Sequence, residues 1–271
     1  MTNQKSTDQK PANLSNTLFT PEESLSLLIF GDPKVGKSTL ATTVPYPALI
    51  IDSEGSWKFI RRRGFNGDLI RKVTWNPGGE LPTNNGSWDI CISKITSWGE
   101  FETVYNRLIT GNHEFATVVI DSISDVQRRC KRNLVQGDSK AEWDDWGTLL
   151  TTMDNRVQSL RDLPLVTGSP TRCVLFIAEK DLDDRSKKYG PALEGAFRRI
   201  LPHMVDISGY LGVGDSTKKD EHGKPIRVQK LGIGRSNLYV TGERVQGALP
   251  NTLENPDISQ MMIDIYRNAN N

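Results

Sequence analysis

A glycine-rich segment near the amino terminus carries residue types that bind phosphate. Gly31, Gly36, Lys37 and Ser38 occupy the fixed positions of the pattern G-x-x-x-x-G-K-[ST]. Glycines let several backbone N–H groups point at one anion, the lysine reaches the β- and γ-phosphates, and the hydroxyl binds Mg²⁺. The segment therefore predicts a site for ATP and Mg²⁺, with an ordinary glycine turn as the alternative. The predicted ATP contacts are Gly31, Asp32, Pro33, Lys34, Val35, Gly36, Lys37, Ser38 and Thr39.

Two carboxylates that follow apolar runs could complete the catalytic set with Lys37. Asp121 ends the apolar run 117–120 and is predicted to hold Mg²⁺ together with Ser38, although it could instead cap the next helix. Glu54 follows a second apolar run and is predicted to activate the attacking water. It extends farther into the loop than Asp52, so it reaches across the γ-phosphate more readily. A plain surface glutamate is the alternative.

Alternating strands and helices must position these residues. Such alternation predicts an α/β fold with a mostly parallel central sheet and ligands at the carboxyl ends of its strands. The predicted strands before residue 200 lie at 28–30, 46–52, 70–75, 116–122 and 173–178, and the predicted helices at 98–109, 124–135, 143–162 and 258–266. Shorter, partly antiparallel strands are predicted at 205–212, 227–231 and 237–240, with a hairpin tip at 220–225.

Bulk properties narrow the function classes. Residues 1–24 are polar and predict a flexible tail, whereas 25–271 predict one domain. The net charge of +1 provides no global attraction to nucleic acid, so any contact must come from local patches. The 3 cysteines lack zinc or disulfide spacing. Neither a membrane span nor a signal segment is evident, which predicts a cytoplasmic protein without membrane contact.

Several of these segments together resemble a known family. The segments 31–38, 49–54, 118–122 and 175–179 are similar in order and spacing to the core of RecA-type ATPases. More narrowly, 31–38, 52–55 and 205–211 resemble the short phage-encoded RecA-like recombinases of the Sak group, often described simply as AAA family ATP-binding proteins. The resemblance covers about 25–268 and implies a RecA-like P-loop NTPase core.

The resemblance also carries functional expectations. It implies that Glu54 is the water-activating carboxylate and that the protein hydrolyses ATP while acting on single-stranded DNA. The process implied is phage-type recombination or annealing by a homo-oligomer, with a single-strand-binding protein as a further partner. If the chain is encoded by a phage, its location is the cytoplasm of the bacterial host.

Two positions depart from the family pattern. Where relatives carry a Gln or His that senses the γ-phosphate, this chain has Glu179, whose carboxylate cannot donate a hydrogen bond and is repelled by phosphate. Sensing could instead pass through Lys180 or be weak. Near the C-terminal strand only Arg244 is left as a finger that could reach a neighbouring subunit's nucleotide, with a solvated turn arginine as the alternative.

The loop after Glu179 combines positive charge with one aromatic ring. Arg185, Lys187, Lys188 and Tyr189 are therefore predicted to bind DNA, because single-strand binders pair phosphate contacts with base stacking. Nearby aspartates dilute the charge, so a plain solvated loop is the alternative. A second basic run at 128–132 is typical of a solvated helix face and less often of a phosphate contact.

Two rival functions use the same phosphate loop. One is a nucleotide or small-molecule kinase, although no arginine-rich lid follows the core. The other is a regulatory ATP switch that binds protein partners without DNA. Stimulation of ATP hydrolysis by DNA would separate the three functions.

Overall fold

The computed structural model describes residues 19–60, 69–135 and 143–267. Its strands are β1 (Leu25–Gly31), β2 (Ala48–Asp52), β3 (Lys72–Thr74), β4 (Ile90–Lys94), β5 (Thr117–Asp121), β6 (Cys173–Leu182), β7 (Tyr189–Pro191), β8 (Ile207–Lys219), β9 (Pro225–Gly232), β10 (Gly242–Glu243) and β11 (Thr252–Glu254). Its helices are α1 (Lys37–Leu40), α2 (Trp98–Ile109), α3 (Ile123–Leu134), α4 (Trp143–Arg161), α5 (Phe197–Met204) and α6 (Ile258–Tyr266).

One sheet joins these strands in the order β11-β9-β8-β1-β6-β5-β2-β4-β3. From β8 to β3 every neighbouring pair runs parallel. The pairs β8–β9 and β9–β11 are antiparallel, as are β10 on β8 and β7 on β6. The predicted α/β class with a mostly parallel sheet and antiparallel C-terminal strands is therefore confirmed, and the architecture is consistent with a RecA-like P-loop NTPase.

Alternation along each buried strand creates two cores. On β1, Leu28 and Phe30 pack with α2, α3, α4 and α5, whereas Leu27 and Ile29 pack on the other face with α1 and α6. Because both faces are covered, the central strands are apolar along nearly their whole length. Polar chemistry is then left to the strand ends, where the chain turns into loops.

Most predicted elements agree with the structure, and the four long helices match to within one residue at each end. The strand predicted at 237–240 is wrong. Tyr239 forms only an isolated bridge, because the Ser236 hydroxyl accepts hydrogen bonds from the N–H groups of Leu238 and Tyr239 at 3.1 and 3.2 Å. Sequence patterns also missed β4, and they missed α5, which contains Pro202.

The segment predicted as a tail lies largely outside the described residues. Its described part, 19–24, packs on the domain: Phe19 is buried near Tyr266, and Pro21–Glu23 forms a 3₁₀ helix. Arg267 also pairs with Glu23. The described fold therefore begins at Phe19. Within the described ranges, no helix combines the length and apolar character that crossing a bilayer requires.

Candidate nucleotide site

The carboxyl ends of four neighbouring strands form the edge on which the predicted site lies. The sheet order places β6 between the strand that leads into the phosphate loop and the strand that ends at Asp121. Asp52 pairs in register with Asp121, and Gly31 with Glu179. Positions far apart in sequence are therefore brought to one edge. This is the edge at which open parallel sheets bind ligands.

The phosphate loop depends on its glycines for two different reasons. A Cβ on Gly31 would lie 2.4 Å from the Leu211 carbonyl oxygen, so β8 approaches too closely for a side chain. Gly36 has φ +98° and so lies in the left-handed region, where glycine is favoured. The helix that follows, α1, is a single turn that continues as a 3₁₀ helix. The loop N–H groups, rather than a long helix, are the expected phosphate donors.

Ser38 and Asp121 meet directly. The Ser38 hydroxyl donates to Asp121 Oδ2 at 2.7 Å, and the buried Trp57 indole N–H donates to the same oxygen at 2.8 Å. Burial raises the pKa of Asp121 to about 6, with the two donors opposing that rise and the charges of Glu54 and Asp52 adding to it. A bound cation would favour the ionised carboxylate, so this pair is suited to Mg²⁺.

Lys37 turns back over its own loop. Its ammonium donates to the carbonyl oxygens of Gly31 and Asp32, both at 2.9 Å. Burial lowers the pKa of Lys37, and the charges of Asp121 and Glu54 oppose that change. The ammonium thus lies where a triphosphate would replace weak carbonyl partners with strong anionic ones.

The two carboxylates after β2 have different partners. Asp52 accepts hydrogen bonds from the backbone N–H groups of Gly55 at 2.8 Å and Ser56 at 3.3 Å, so it shapes the loop. Glu54 is exposed, and its Oε1 accepts the Ser122 hydroxyl at 2.6 Å. Ser122 directly follows Asp121, which ties Glu54 to the proposed metal ligand. This arrangement supports Glu54 over Asp52 for water activation.

Three side chains from outside the phosphate loop contact it. Asp32 receives Lys180 at 2.7 Å and the Tyr210 hydroxyl at 2.9 Å, and the Lys180 contact holds the pKa of Asp32 below its ordinary value. Gln229 donates to the Val35 carbonyl oxygen at 2.7 Å. Lys180, named above as an alternative phosphate sensor, is thus engaged by the loop itself.

The basic helix α3 is not a solvated face along its first turns. Arg128 pairs with Glu179, and Arg129 pairs with Asp125 at 2.7 Å and donates to the Ser53 carbonyl oxygen at 2.7 Å. Both arginines contact residues of the nucleotide edge, with Arg129 largely buried and Arg128 partly exposed. Glu179, at the sensor position, is consequently bound by an arginine.

The residues predicted to bind DNA divide into two groups. Arg185 and Lys187 are exposed on the turn between β6 and β7, with Lys187 3.6 Å from Asp184. Lys188 instead donates to the Ser236 carbonyl oxygen at 2.8 Å. Tyr189 packs beside Tyr239, with ring centroids 5.9 Å apart, and carries Lys180 over its ring at 4.6 Å. The second group faces the protein.

Arg244 lies at the opposite edge of the sheet. It follows β10, which pairs with the first residues of β8, and its backbone N–H donates to the Asp206 carbonyl oxygen at 2.9 Å. Its guanidinium donates to the His203 carbonyl oxygen. The structure therefore does not bring Arg244 to the phosphate loop of its own chain, and its action on a neighbour stays a prediction.

The donor set of the site fits Mg²⁺. Hydroxyl and carboxylate oxygens, as in Ser38 and Asp121, are ligands that this hard cation prefers. Among residues 19–60, 69–135 and 143–267, no cluster of three or more His, Cys, Asp or Glu side chains could hold a metal. Phosphate oxygens and water would supply the remaining ligands.

The sequence did not predict the contacts that support the site from a distance. Trp57 and Gln229 lie in no recognisable motif, whereas Ser122 was included only in the segment 118–122 and Arg128 only in the basic run 128–132. The partners of these four residues are 51 to 194 positions away. For Trp57 the available signal was its place directly after the Asp52 loop, since a buried indole N–H needs an acceptor.

Comparison with known proteins gives one family. A family model described as an AAA domain matches residues 23–245. No curated protein matches the chain in sequence. A solved structure of a prototypical ATPase from the type III secretion system of pathogenic bacteria is similar with 10% identity and a TM-score of 0.40. That likeness covers 70% of this chain and 52% of the other, so the chain spans about half its length.

Proposed function

This chain belongs to the AAA domain family and is a P-loop ATPase, and we propose that it hydrolyses ATP with Mg²⁺ at the edge formed by Lys37, Ser38, Glu54 and Asp121. The observation that carries this proposal is the direct 2.7 Å contact between Ser38 and Asp121. It joins the phosphate loop to the only carboxylate of the set that is both buried and at the end of a central strand.

Each residue has a separate role in the proposed reaction. Backbone N–H groups of the loop and the Lys37 ammonium hold the β- and γ-phosphates. Mg²⁺, when bound, neutralises charge on the phosphate oxygens. Ser38 and Asp121 orient it from the protein side. Glu54 accepts a proton from the attacking water, and Ser122 fixes the glutamate's carboxylate.

A magnesium titration of ATP hydrolysis tests the proposal. Asp121→Asn keeps the acceptor oxygen for Ser38 and Trp57 but loses the charge that attracts the cation. We expect half-maximal activity to need about tenfold or more Mg²⁺. Asp215→Asn, at an exposed aspartate of β8, is the matched control. An unchanged magnesium profile in Asp121→Asn would contradict the metal assignment.

We further propose that the protein binds single-stranded DNA, as the resemblance to phage recombinases implies. A groove of about 880 Å³ supports it, because Arg185 lines this groove together with Lys131, Trp146 and Arg199. Trp146 is 36% exposed, and Lys131 lies 4.5 Å from its ring centroid. Cations beside an exposed ring are what single-strand binders use. Asp183 and Glu194 also line the groove and reduce its positive charge.

Stimulation of ATP hydrolysis by oligo(dT) tests the partner. We expect a higher turnover with the oligonucleotide, and loss of that stimulation in Trp146→Ala with the basal rate unchanged. A kinase would need an acceptor substrate, and an ATP switch would respond to neither. Absence of stimulation in the parent protein, together with no binding of oligo(dT) at low salt, would rule the DNA partner out.

The resemblance also leads us to propose that the protein forms a homo-oligomer in which Arg244 reaches the neighbouring subunit. A single-strand-binding protein is the further proposed partner. Exposure of the Arg244 side chain, at 58%, is compatible with such a reach.

A further inference from the structure

Glu179 directly follows the buried part of β6, at the centre of the nucleotide edge. On one side, Gly31 of β1 pairs in register with Glu179. On the other side, Asp121 of β5 pairs in register with Ile177, two residues before Glu179 on β6. Any terminal phosphate held by the loop and facing Asp121 must therefore come close to this position. The residue here is well placed to distinguish a triphosphate from a diphosphate.

A glutamate cannot perform that task alone. An ionised carboxylate only accepts hydrogen bonds, and at close range its charge repels phosphate. Either the edge has no group that contacts the terminal phosphate from this side, or another residue supplies the donors. The neighbours of Glu179 decide between the two.

Arg128 engages Glu179 with both of its terminal nitrogens. Nη2 donates to Oε1 at 2.8 Å, and Nη1 donates to Oε2 at 3.2 Å. Such a paired contact fixes the plane of the guanidinium and neutralises the carboxylate. Arg128 Nε also lies 3.4 Å from Asp125 Oδ1, so two acidic groups hold the arginine in place.

The helix that carries Arg128 belongs to the site. α3 begins at Ile123, directly after Asp121 and Ser122, and its next residue, Arg129, holds the loop of Glu54 through the Ser53 carbonyl oxygen. The side chains of Arg128 and Glu179 are 38% and 42% exposed. A ligand at the edge can therefore reach the guanidinium without disturbing the core.

We propose that Arg128 is the group that contacts the terminal phosphate of ATP within its own chain, and that Glu179 is a positioning residue that holds the guanidinium ready. This inference rests on the proposed ATPase function. When a triphosphate binds, the guanidinium donates to phosphate oxygens and shares or leaves Glu179. ADP offers no such acceptor, so the Arg128–Glu179 pair stays closed. The pair thereby replaces the Gln or His that the resembled family places at this strand end.

The test measures turnover together with the affinities for ATP and ADP. Arg128→Ala is expected to lower kcat about a hundredfold, the scale for losing a positioned donor. Its preference for ATP over ADP should fall about tenfold, with ADP affinity unchanged. Arg132→Ala, an exposed arginine on the same helix, is the matched control and should change neither quantity.

A double variant separates the proposal from a merely structural ion pair. Glu179→Gln supplies an amide that can donate to phosphate, so adding it to Arg128→Ala should recover at least tenfold of the lost turnover and part of the ATP preference. If Arg128→Ala does not fold, Arg128→Lys serves instead, since it keeps the charge without the paired geometry and should lose part of the ATP preference. An ATP preference equal to that of the parent protein overturns the proposal.

Failure of this inference can be distinguished from failure of the proposed function. If Lys37→Ala abolishes turnover while Arg128→Ala keeps the parental ATP preference, the ATPase site stands and Arg128 is structural. If Lys37→Ala hydrolyses ATP at the parental rate, the site itself is wrong.

Discussion

The nucleotide edge and the hairpin between β6 and β7 differ in how their functional residues are held. At the edge, Ser38 and Trp57 both donate hydrogen bonds to one carboxylate oxygen of Asp121, so polar atoms from three segments lie close together. On the hairpin, Arg185 projects into a groove while Lys188 is anchored to Ser236. The polar atoms of the nucleotide edge are arranged for one compact ligand. On the hairpin, by contrast, Arg185 is open to solvent and Lys188 supports the fold.

This difference shows why neighbours in sequence need not share a role. A triphosphate is small, so every residue that binds it must reach the same few ångströms. The four residues predicted to bind DNA are neighbours in sequence, but Arg185 and Lys187 lie on the exposed turn before β7, whereas Lys188 contacts Ser236 and Tyr189 packs beside Tyr239. The aromatic ring exposed in the groove is Trp146.

Among the substitutions that test this comparison, Glu54→Gln should have the largest effect. Glu54→Gln keeps the size of the side chain and can still contact Ser122, but it cannot take a proton from water. We expect turnover to fall about a hundredfold or more with ATP binding retained. Steady-state hydrolysis and nucleotide binding measure the two effects. Glu80→Gln, another exposed glutamate, is the control. A parental rate in Glu54→Gln would contradict its role in activating water and would leave Asp52 or Glu179 as the candidate.

A second prediction concerns the stability cost of burying Asp121. Its pKa rises from 3.8 to about 6 on folding, so the folded state binds the proton more tightly than the unfolded state. Asp121 therefore contributes stability below about pH 4 that is lost as the pH rises through 6. Asn cannot ionise and avoids this loss.

Without ligands, we therefore compare the free energy of unfolding of Asp121→Asn with that of the parent protein. The difference between them should shift in favour of the variant by about 2 kcal/mol as the pH rises from 4.5 to 7.5. Denaturant unfolding at both pH values measures the difference. Ser124→Ala, at a buried hydroxyl near the same strand end, should show no such pH-dependent gain. A constant difference across this range would contradict the burial of a charge-bearing Asp121.

The smallest effects should separate the two groups of hairpin residues. Arg185→Ala should reduce the slope of log affinity for oligo(dT) against log salt by about 0.7, because one phosphate contact is lost. Lys188→Ala should leave that slope unchanged and instead lower the free energy of unfolding by about 1 kcal/mol, because the bond to Ser236 is lost. Equal salt slopes in both variants would remove the distinction between the groups.

The residues proposed to bind the nucleotide could be recognised in the sequence more readily than the residues that hold them in place, for a physical reason. Gly31, Lys37, Ser38 and Asp121 are recognisable because a fixed ligand requires fixed spacing or a strand end. Partners such as Arg128 for Glu179 depend on which helix crosses which strand, which local patterns do not contain.

The same limit applies to the fold. Long helices were predicted to within one residue because their apolar period is repeated many times. By contrast, the strand expected at 237–240 was lost because one serine hydroxyl accepts the hydrogen-bond donors that a ladder would need. Single polar contacts of this kind overrule a short apolar pattern.

Hydrolysis of ATP by the parent protein and by Lys37→Ala, measured side by side with Mg²⁺, tests the central claim most directly. Lys37 lies over the loop carbonyls that a triphosphate would face, so its removal should abolish turnover while the thermal midpoint stays close to that of the parent. Lys224→Ala, at an exposed lysine in the turn between β8 and β9, is the control and should retain turnover. Parental hydrolysis in Lys37→Ala would contradict the assignment of this edge as the ATPase site.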